Sequence, residues 1–552
     1  MTPVSVVDAA ERKALTGLTV GMSRVIQADL TGILWILVAA DPTLDISWIG
    51  LPYTVDPDGD VVINMELANM KGIVPDANVL GQVGGRPTIG NAVKSGGLHI
   101  GMTSDLPSLT LIGDASKDVK AYTLEEWTAY GVIDANWKLN ATTLNSLHIG
   151  QGVTSIGANA FDGCSGIKGN LVIPGSVTAI GNNAFDGSWN AVGTLTLNEG
   201  LLTIAVDAFY GADFTGDLTI PDTVTAIGES GFYGWNSTGT LKLGSGLLTI
   251  GNGAFRSGDW TGILNVPGSI THLEANTFRG TAFTGLILNE GLLTTAEGGG
   301  AWGGAFEQSN WGGNLVIPNS VTRLGDDTFE GCGFAGGTLT LGSGLLTIGN
   351  NCFEDCQFIG TLTIPANVTA IGRYSFRGCQ HLTTLVLHEG LLTTGDSAFR
   401  GCERLSGSLT IPNSVTSLGD ESFEDCIALT SVTIGSGMTV IPESIFEDCT
   451  ALTSVTIPEG ITTIGVSSFE GCSALTSVTI PSTVTTLGSQ AFQDCSALTT
   501  ITCHITQTIF EANSNVLLNS GVTSIIADTG KGWTAGAGQT FGGKTGITVT
   551  LV

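Results

Sequence analysis

The sequence predicts a mainly β solenoid of about 15 coils of 23–24 residues, preceded by a small α+β module and closed by a C-terminal cap. Three observations predict it. Phe recurs at 161, 185, 209, 232, 255, 278, 306, 329, 353, 376, 399, 423, 446, 469 and 492, in steps of 23 or 24 with one step of 28. At 552 residues the chain is too long for one ordinary core and grows by repetition instead. It is 42% hydrophobic but only 12% charged, with 79 Gly, a balance that excludes disorder and suits regular β structure.

One late coil displays the grammar. Val455 and Ile457 alternate with Thr456, the period of a strand. Pro458 and Gly460 end that strand, and Ile461 and Ile464 point inward from a second extended segment. Phe469 and Cys472 close the coil. A single coil cannot bury its apolar side chains, but stacked coils form a continuous column. At a strand spacing of about 4.8 Å the stack is on the order of 70 Å long.

The coils alternate. Pro ends the first strand at 174, 221, 267, 318, 365 and 412, and between these the same place reads Asn-Glu-Gly, Gly-Ser-Gly or His-Glu-Gly. A two-coil unit of about 47 residues was therefore duplicated. From Ile434 the alternation breaks, with two Pro coils in succession at 458 and 481. Early coils place an aromatic five residues after the Phe: Phe214, Trp260, Phe283, Trp311, Phe334 and Phe358. Later coils place Leu six residues after it: Leu382, Leu405, Leu429, Leu452, Leu475 and Leu498. Both sets read as filling for one edge of the solenoid, with sugar stacking by the aromatics as the alternative.

The chain divides into an N-terminal attachment module at 1–55, a connecting region with a solenoid cap at 56–143, the solenoid at 144–503 and a C-terminal cap at 504–552. Asp8 can cap a short helix over 9–15, and strands are expected at Arg24–Gln27, Ile33–Ala39 and Val61–Ile63. Thr123-Leu-Glu-Glu126 is a capping box for a helix that Gly131 stops.

With 20 Lys and Arg against 49 Asp and Glu, the net charge is −29. No basic patch is present to neutralise phosphates, which argues against nucleic-acid binding and against anionic membrane surfaces. The apolar run Ile33–Ala40 is too short to span a bilayer, so no membrane insertion is expected. The first residues lack the pattern of an export signal.

No enzyme or cofactor motif emerges. Nine of the eleven Cys fall three residues after a Phe and read as reduced, apolar filler with weak hydrogen bonds to the turn. None has zinc spacing with a His, and none of the six His sits in a nucleophile pattern. Acidic pairs such as Glu354-Asp355, Glu424-Asp425 and Glu447-Asp448 repeat, whereas a reaction needs one arrangement. They read as turn residues, with weak divalent binding as the alternative. Asp56-Pro-Asp58-Gly-Asp60 departs from a calcium loop in the place of its Gly and in Leu67.

Two features remain as candidate recognition surface. The enlarged coil between Phe278 and Phe306 holds Trp302 in a Gly-rich insertion. The outward position of the first strand forms a ladder that includes Lys242, Asn265, Thr340, Thr363, Thr410, Thr433, Thr456 and Thr479. Strand propensity alone favours Thr there, and a contact surface for protein or glycan is the functional alternative.

Strings such as Leu475-Thr-Ser-Val-Thr-Ile-Pro, Val484-Thr-Thr-Leu-Gly and Ala491-Phe-Gln-Asp-Cys-Ser make residues 144–503 resemble the BspA-like leucine-rich repeats. The resemblance implies a leucine-rich-repeat solenoid and a surface or secreted protein that adheres to host cells, matrix or other microbes. Cys is missing after Phe185, Phe209, Phe232, Phe255, Phe278 and Phe306, a departure at the edge of the early coils. A second, shorter stretch is similar to the N-termini of tail-fibre and appendage proteins of tailed bacteriophages: Leu15-Thr-Gly-Leu-Thr-Val-Gly, Arg24-Val-Ile-Gln-Ala-Asp, Trp35-Ile-Leu-Val-Ala-Ala-Asp-Pro and Trp48-Ile. It implies a homotrimer assembled in the host cytoplasm, docked on other virion proteins through its N-terminus. The solenoid would then recognise a host cell-surface protein or glycan, and an early zone with its insertion would be the favoured recogniser. The alternatives are a bacterial cell-surface adhesin, an architectural virion protein and, last, a glycan depolymerase.

Overall fold

The structure, a computed structural model, describes residues 153–165, 169–188, 193–236, 238–296, 303–513 and 515–552. Before them it describes the short strands between Ile33 and Ile149. The chain forms two units, one of residues 1–133 and 139–154, the other of residues 134–138 and 155–552.

In the first unit Ile33–Leu37 pairs antiparallel with Trp48–Val55, Leu37 opposite Trp48, and Val61–Ile63 adds to the other edge of Trp48–Val55. Leu109–Leu111 lies parallel to Leu147–Ile149. The strands expected near 33–39 and 61–63 are therefore in place. The helices expected at 9–15 and 123–130 and the strand at 24–27 lie outside the described residues.

The second unit is a β-solenoid, and the chain makes about 17 turns. Each coil has a first strand, a second strand and a Phe-bearing turn. Second strands pair in parallel and in register from coil to coil, Ile180 beside Ile204, Ile227 and Ile250 in turn. First strands before residue 407 pair two by two, as Leu171–Ile173 does with Leu195–Leu197 and Leu315–Val316 with Leu339–Thr340. From Gly407–Thr410 onward they join one continuous eight-stranded sheet that runs to the C-terminus.

The turn is a third hydrogen-bonded ladder. The Phe185 N–H donates to Ala208 O at 2.8 Å, and the Gly187 N–H to Tyr210 O at 2.8 Å. The same two bonds repeat in later coils, for example Phe353 to Ser375 and Asp355 to Arg377. All these donors point to the next coil because the residues two before and two after the Phe adopt left-handed backbone, Asn351 at φ 51° and Asp355 at φ 57°. Asn, Asp, Ser and Gly recur there because short polar side chains and Gly tolerate that region.

The core follows from this register. Fifteen Phe rings form an unbroken buried column, with centroid steps from 5.0 Å at Phe185–Phe209 to 5.7 Å at Phe423–Phe446. Beside it runs a second buried column of Phe214, Trp235, Trp260, Phe283, Trp311 and Phe334, then Phe358, continued by the later leucines from Leu382. The early aromatics are therefore edge filler. Trp235 belongs to the column although it follows Phe232 by three residues and not five. The indole N–H groups of Trp235, Trp260 and Trp311 are buried without an acceptor.

All eleven thiols are buried. Each Cys from Cys356 to Cys495 that follows a Phe by three residues donates to the carbonyl of the previous coil's Phe, as Cys379 does to Phe353 O at 3.1 Å. Where Cys is absent, Ser309 makes the equivalent bond to Phe278 O at 2.9 Å. The solenoid bonding runs on past residue 503. Phe492 N–H donates to Val516 O, which places buried Leu517 where a Phe would stand, with Asn519 in the left-handed region behind it. Phe510, Trp533 and Phe541 then cluster over the end of the column.

Candidate functional site

The surface assembled by the first strands is set by period-two alternation. In Leu339–Thr340 and Gly407–Thr410 the Leu is buried and the final Thr exposed. Lys242, Asn265, Thr340, Thr363, Thr410, Thr433, Thr456 and Thr479 are all exposed in this way. Pairing sets Thr219 beside Lys242, Asn265 beside Ile287, Val316 beside Thr340 and Thr363 beside Val386. Only in the late zone are identical residues of this row paired in a strand ladder: Thr410, Thr433 and Thr456 in register, and Thr479 beside Thr502. Trp302 lies outside the described residues.

Above this row, side chains cap the next coil. Both carboxylate oxygens of Glu290 accept backbone N–H groups, from Asn319 at 3.0 Å and Ser320 at 2.8 Å. Glu199 and Glu389 repeat the arrangement with the coils that follow them. The Asp or Asn after the Pro then caps the coil after that, as Asn319 accepts the Ser343 N–H at 2.9 Å and Asn413 accepts that of Ser436 at 3.0 Å. The relay returns to its start after four coils, so the two-coil unit of the sequence is half of the hydrogen-bonding unit. The donated N–H groups hold the Glu290 and Glu389 carboxyls below the usual carboxylate range.

A second row was singled out in the sequence only at its acidic pairs and not as a row: the residue after each Phe. It reads Asp162, Asp186, Tyr210, Tyr233, Arg256 and Arg279 through the early coils. It continues Glu307, Glu330, Glu354, then Arg377, Arg400, then Glu424, Glu447, Glu470. Like stands beside like, and opposite charges meet only where blocks join. Arg279 pairs with Glu307 at 2.8 Å, Arg377 with Glu354 at 3.1 Å, and Arg400 with Glu424 at 2.7 Å. Tyr210 stacks on Tyr233 at 4.8 Å, and the Arg256 guanidinium lies 5.8 Å from the Tyr233 centroid. Burial, reinforced by the charges of Glu307, Asp327 and Glu354, pushes the Glu330 carboxyl up to about 7. Burial likewise pushes Glu424 to about 7, with Arg400 opposing and Glu421, Glu447 and Asp425 adding to the rise. In the acidic pairs, Asp355, Asp425 and Asp448 are the left-handed turn residues, at φ 57°, 60° and 56°. Among the described residues no group of three or more His, Cys, Asp or Glu is placed to hold a metal ion.

The repeated coil, its Phe column and its parallel ladders define a leucine-rich-repeat solenoid, a fold that typically serves as a binding scaffold. The profile described as BspA type Leucine rich repeat region (6 copies) matches residues 138–212, 202–297, 303–426 and 405–523, and the chain belongs to that family. No curated protein matches the chain. Among solved structures it is similar to a leucine-rich repeat protein from Bacteroides ovatus, at 18% identity and TM-score 0.41, covering 83% of this chain and 94% of that one. It is also similar to a leucine rich cell surface protein from Faecalibacterium prausnitzii, at 23% identity and TM-score 0.29, covering 81% and 99%. A third is the pneumococcal vaccine antigen PcpA, at 16% identity and TM-score 0.35, covering 92% and 99%.

Proposed function

We propose that this chain is a non-enzymatic, cell-surface adhesin of the BspA class, and that it binds a host cell-surface protein or glycan along the first-strand face. The observation that carries this reading is the late row Thr410, Thr433, Thr456 and Thr479, exposed on one continuous sheet. Short hydroxyl side chains at coil spacing offer donors and acceptors without the entropy loss of ordering long side chains. Affinity then accumulates from many modest contacts. The late zone is favoured over the early one because the early aromatics are buried and its row mixes Lys, Asn, Ile and Val. To test it, labelled full-length protein is titrated onto host cells, matrix proteins and glycan arrays. Saturable binding that falls in a Thr433→Glu, Thr456→Glu variant is expected. Binding to none of these surfaces, or equal binding by the variant, would sink the reading.

A second reading, a phage tail appendage docked through its N-terminus and trimeric, is favoured by residues 15–49 alone. Antibody labelling of purified virions, together with tail genes beside the coding sequence, would support it.

A further inference from the structure

The charge blocks after the Phe column are complementary to themselves when one copy is reversed. We infer that this row is an interface between two antiparallel copies of the chain, with the two-fold axis passing between Glu354 and Arg377. Reversal sets Arg256 opposite the second copy's Glu470 and Arg279 opposite its Glu447. It sets Glu330 opposite Arg400 and Glu354 opposite Arg377. One like-charged pair remains, Glu307 with Glu424. Both side chains are largely covered, at 6% and 13% exposure, and each is already neutralised in its own chain by Arg279 or Arg400.

Three observations support a second copy as the occupant. The row is continuous because backbone bonds lock each member to the next: Ser257 N–H to Arg279 O, Gln308 N–H to Glu330 O, Asp448 N–H to Glu470 O. Any partner must match blocks two and three coils long, and another copy has that period by construction, in the self-complementary form of a two-fold interface. The arginines also keep reach outward, with Arg377 and Arg400 side chains 46% and 34% exposed. Partly exposed pairs of this kind add little affinity each and act mainly to fix register and exclude other alignments. Parallel copies in register set Arg on Arg and Glu on Glu, so the row selects the antiparallel arrangement. A trimer about one axis, with copies parallel, is disfavoured on the same ground.

The test is sedimentation of the full chain at up to about 0.1 mM, a range that detects dissociation constants tighter than about a millimolar. A dimer is expected. Two variants are then made, Arg256→Glu with Arg279→Glu, and Glu447→Arg with Glu470→Arg. Each alone places like charges at both ends of the interface and should dimerise at least about tenfold more weakly than the natural chain. Mixed in equal amounts, the two are complementary at both ends and should form a heterodimer. If either pair of changes prevents folding, judged by circular dichroism, Arg256→Glu and Glu470→Arg singly give the same comparison. A monomeric natural chain, a trimer, or dimers indifferent to these charges would overturn the proposal.

Discussion

At the scale of single residues, two constraints dominate: left-handed turn positions and buried thiols. Asp448 stands two residues after Phe446 at φ 56°, where its N–H donates to Glu470 O at 2.8 Å. Asp448→Gly is therefore expected to leave stability nearly unchanged. Asp448→Val, which forces a β-branched side chain into the left-handed region, should cost about 1–2 kcal/mol in chemical denaturation. The thiols invite a chemical test. Burial pushes Cys402 up to about 12, and its Sγ donates to Phe376 O at 3.3 Å. With no thiolate at neutral pH and no access, the folded chain should not react with Ellman's reagent at pH 8. All eleven Cys should react once guanidinium unfolds it. Rapid native reaction at Cys332–Cys495 would mean that the turn ladder opens far more readily than its packing implies.

At the scale of elements, the inter-coil caps and the acidic blocks impose opposite pH dependences. Glu290 and Glu389 have folded values below their unfolded ones. Their contribution is present above the ordinary carboxylate range and is lost as pH falls through the folded values. Glu330 and Glu424 have folded values raised to about 7. They bind protons in the folded chain that the unfolded chain has released, so their contribution is present below about 4.5 and is lost as pH rises towards 7. Thermal stability should therefore peak in mildly acidic solution and decline on both sides. Melting curves between pH 3 and 9 check the shape. Glu330→Gln with Glu424→Gln should flatten the alkaline side and leave the acid side intact. The elements themselves were legible in the sequence because each answers to a local period: alternation for strands, 23–24 for the Phe column, three residues for the Cys. The caps were not, since the place that holds Glu290 in one coil holds its donor Asn319 in the next and Ser343 in the one after, so no repeated residue type marks the relay. Trp235 escaped for a related reason. It enters the aromatic column from the position that later coils give to Cys, so no fixed offset from Phe232 finds it.

At the scale of the whole molecule, the Thr row was legible from sequence but the division of the first-strand face was not. Strand pairing depends on how adjacent coils align, and Thr219 and Thr433 look equivalent in their own repeats. In the structure the early face is a series of two-stranded pieces, whereas from Gly407 the sheet is unbroken through Ser524–Ala527 and Lys544–Leu551. In a solenoid, stability is close to a sum of coil terms and nearest-neighbour terms, so a row of interrupted interfaces opens before a continuous one. The late end also carries the cap of Phe510, Trp533 and Phe541, with the Trp533 indole donating to Ile505 O at 2.8 Å. The early end carries buried indoles without acceptors, each a desolvation cost of about 1–3 kcal/mol that the surrounding packing must offset. Hydrogen exchange should therefore rank the zones. Amides of Val432, Val455, Val478 and Ile501 are expected to exchange more slowly than those of Leu195, Leu218, Leu241 and Leu264. In mild denaturant, signal should be lost first from the coils before residue 407. Uniform protection from end to end would mean that the Phe column, common to both zones, sets the cooperativity, and that the interruptions in the sheet carry no energetic weight.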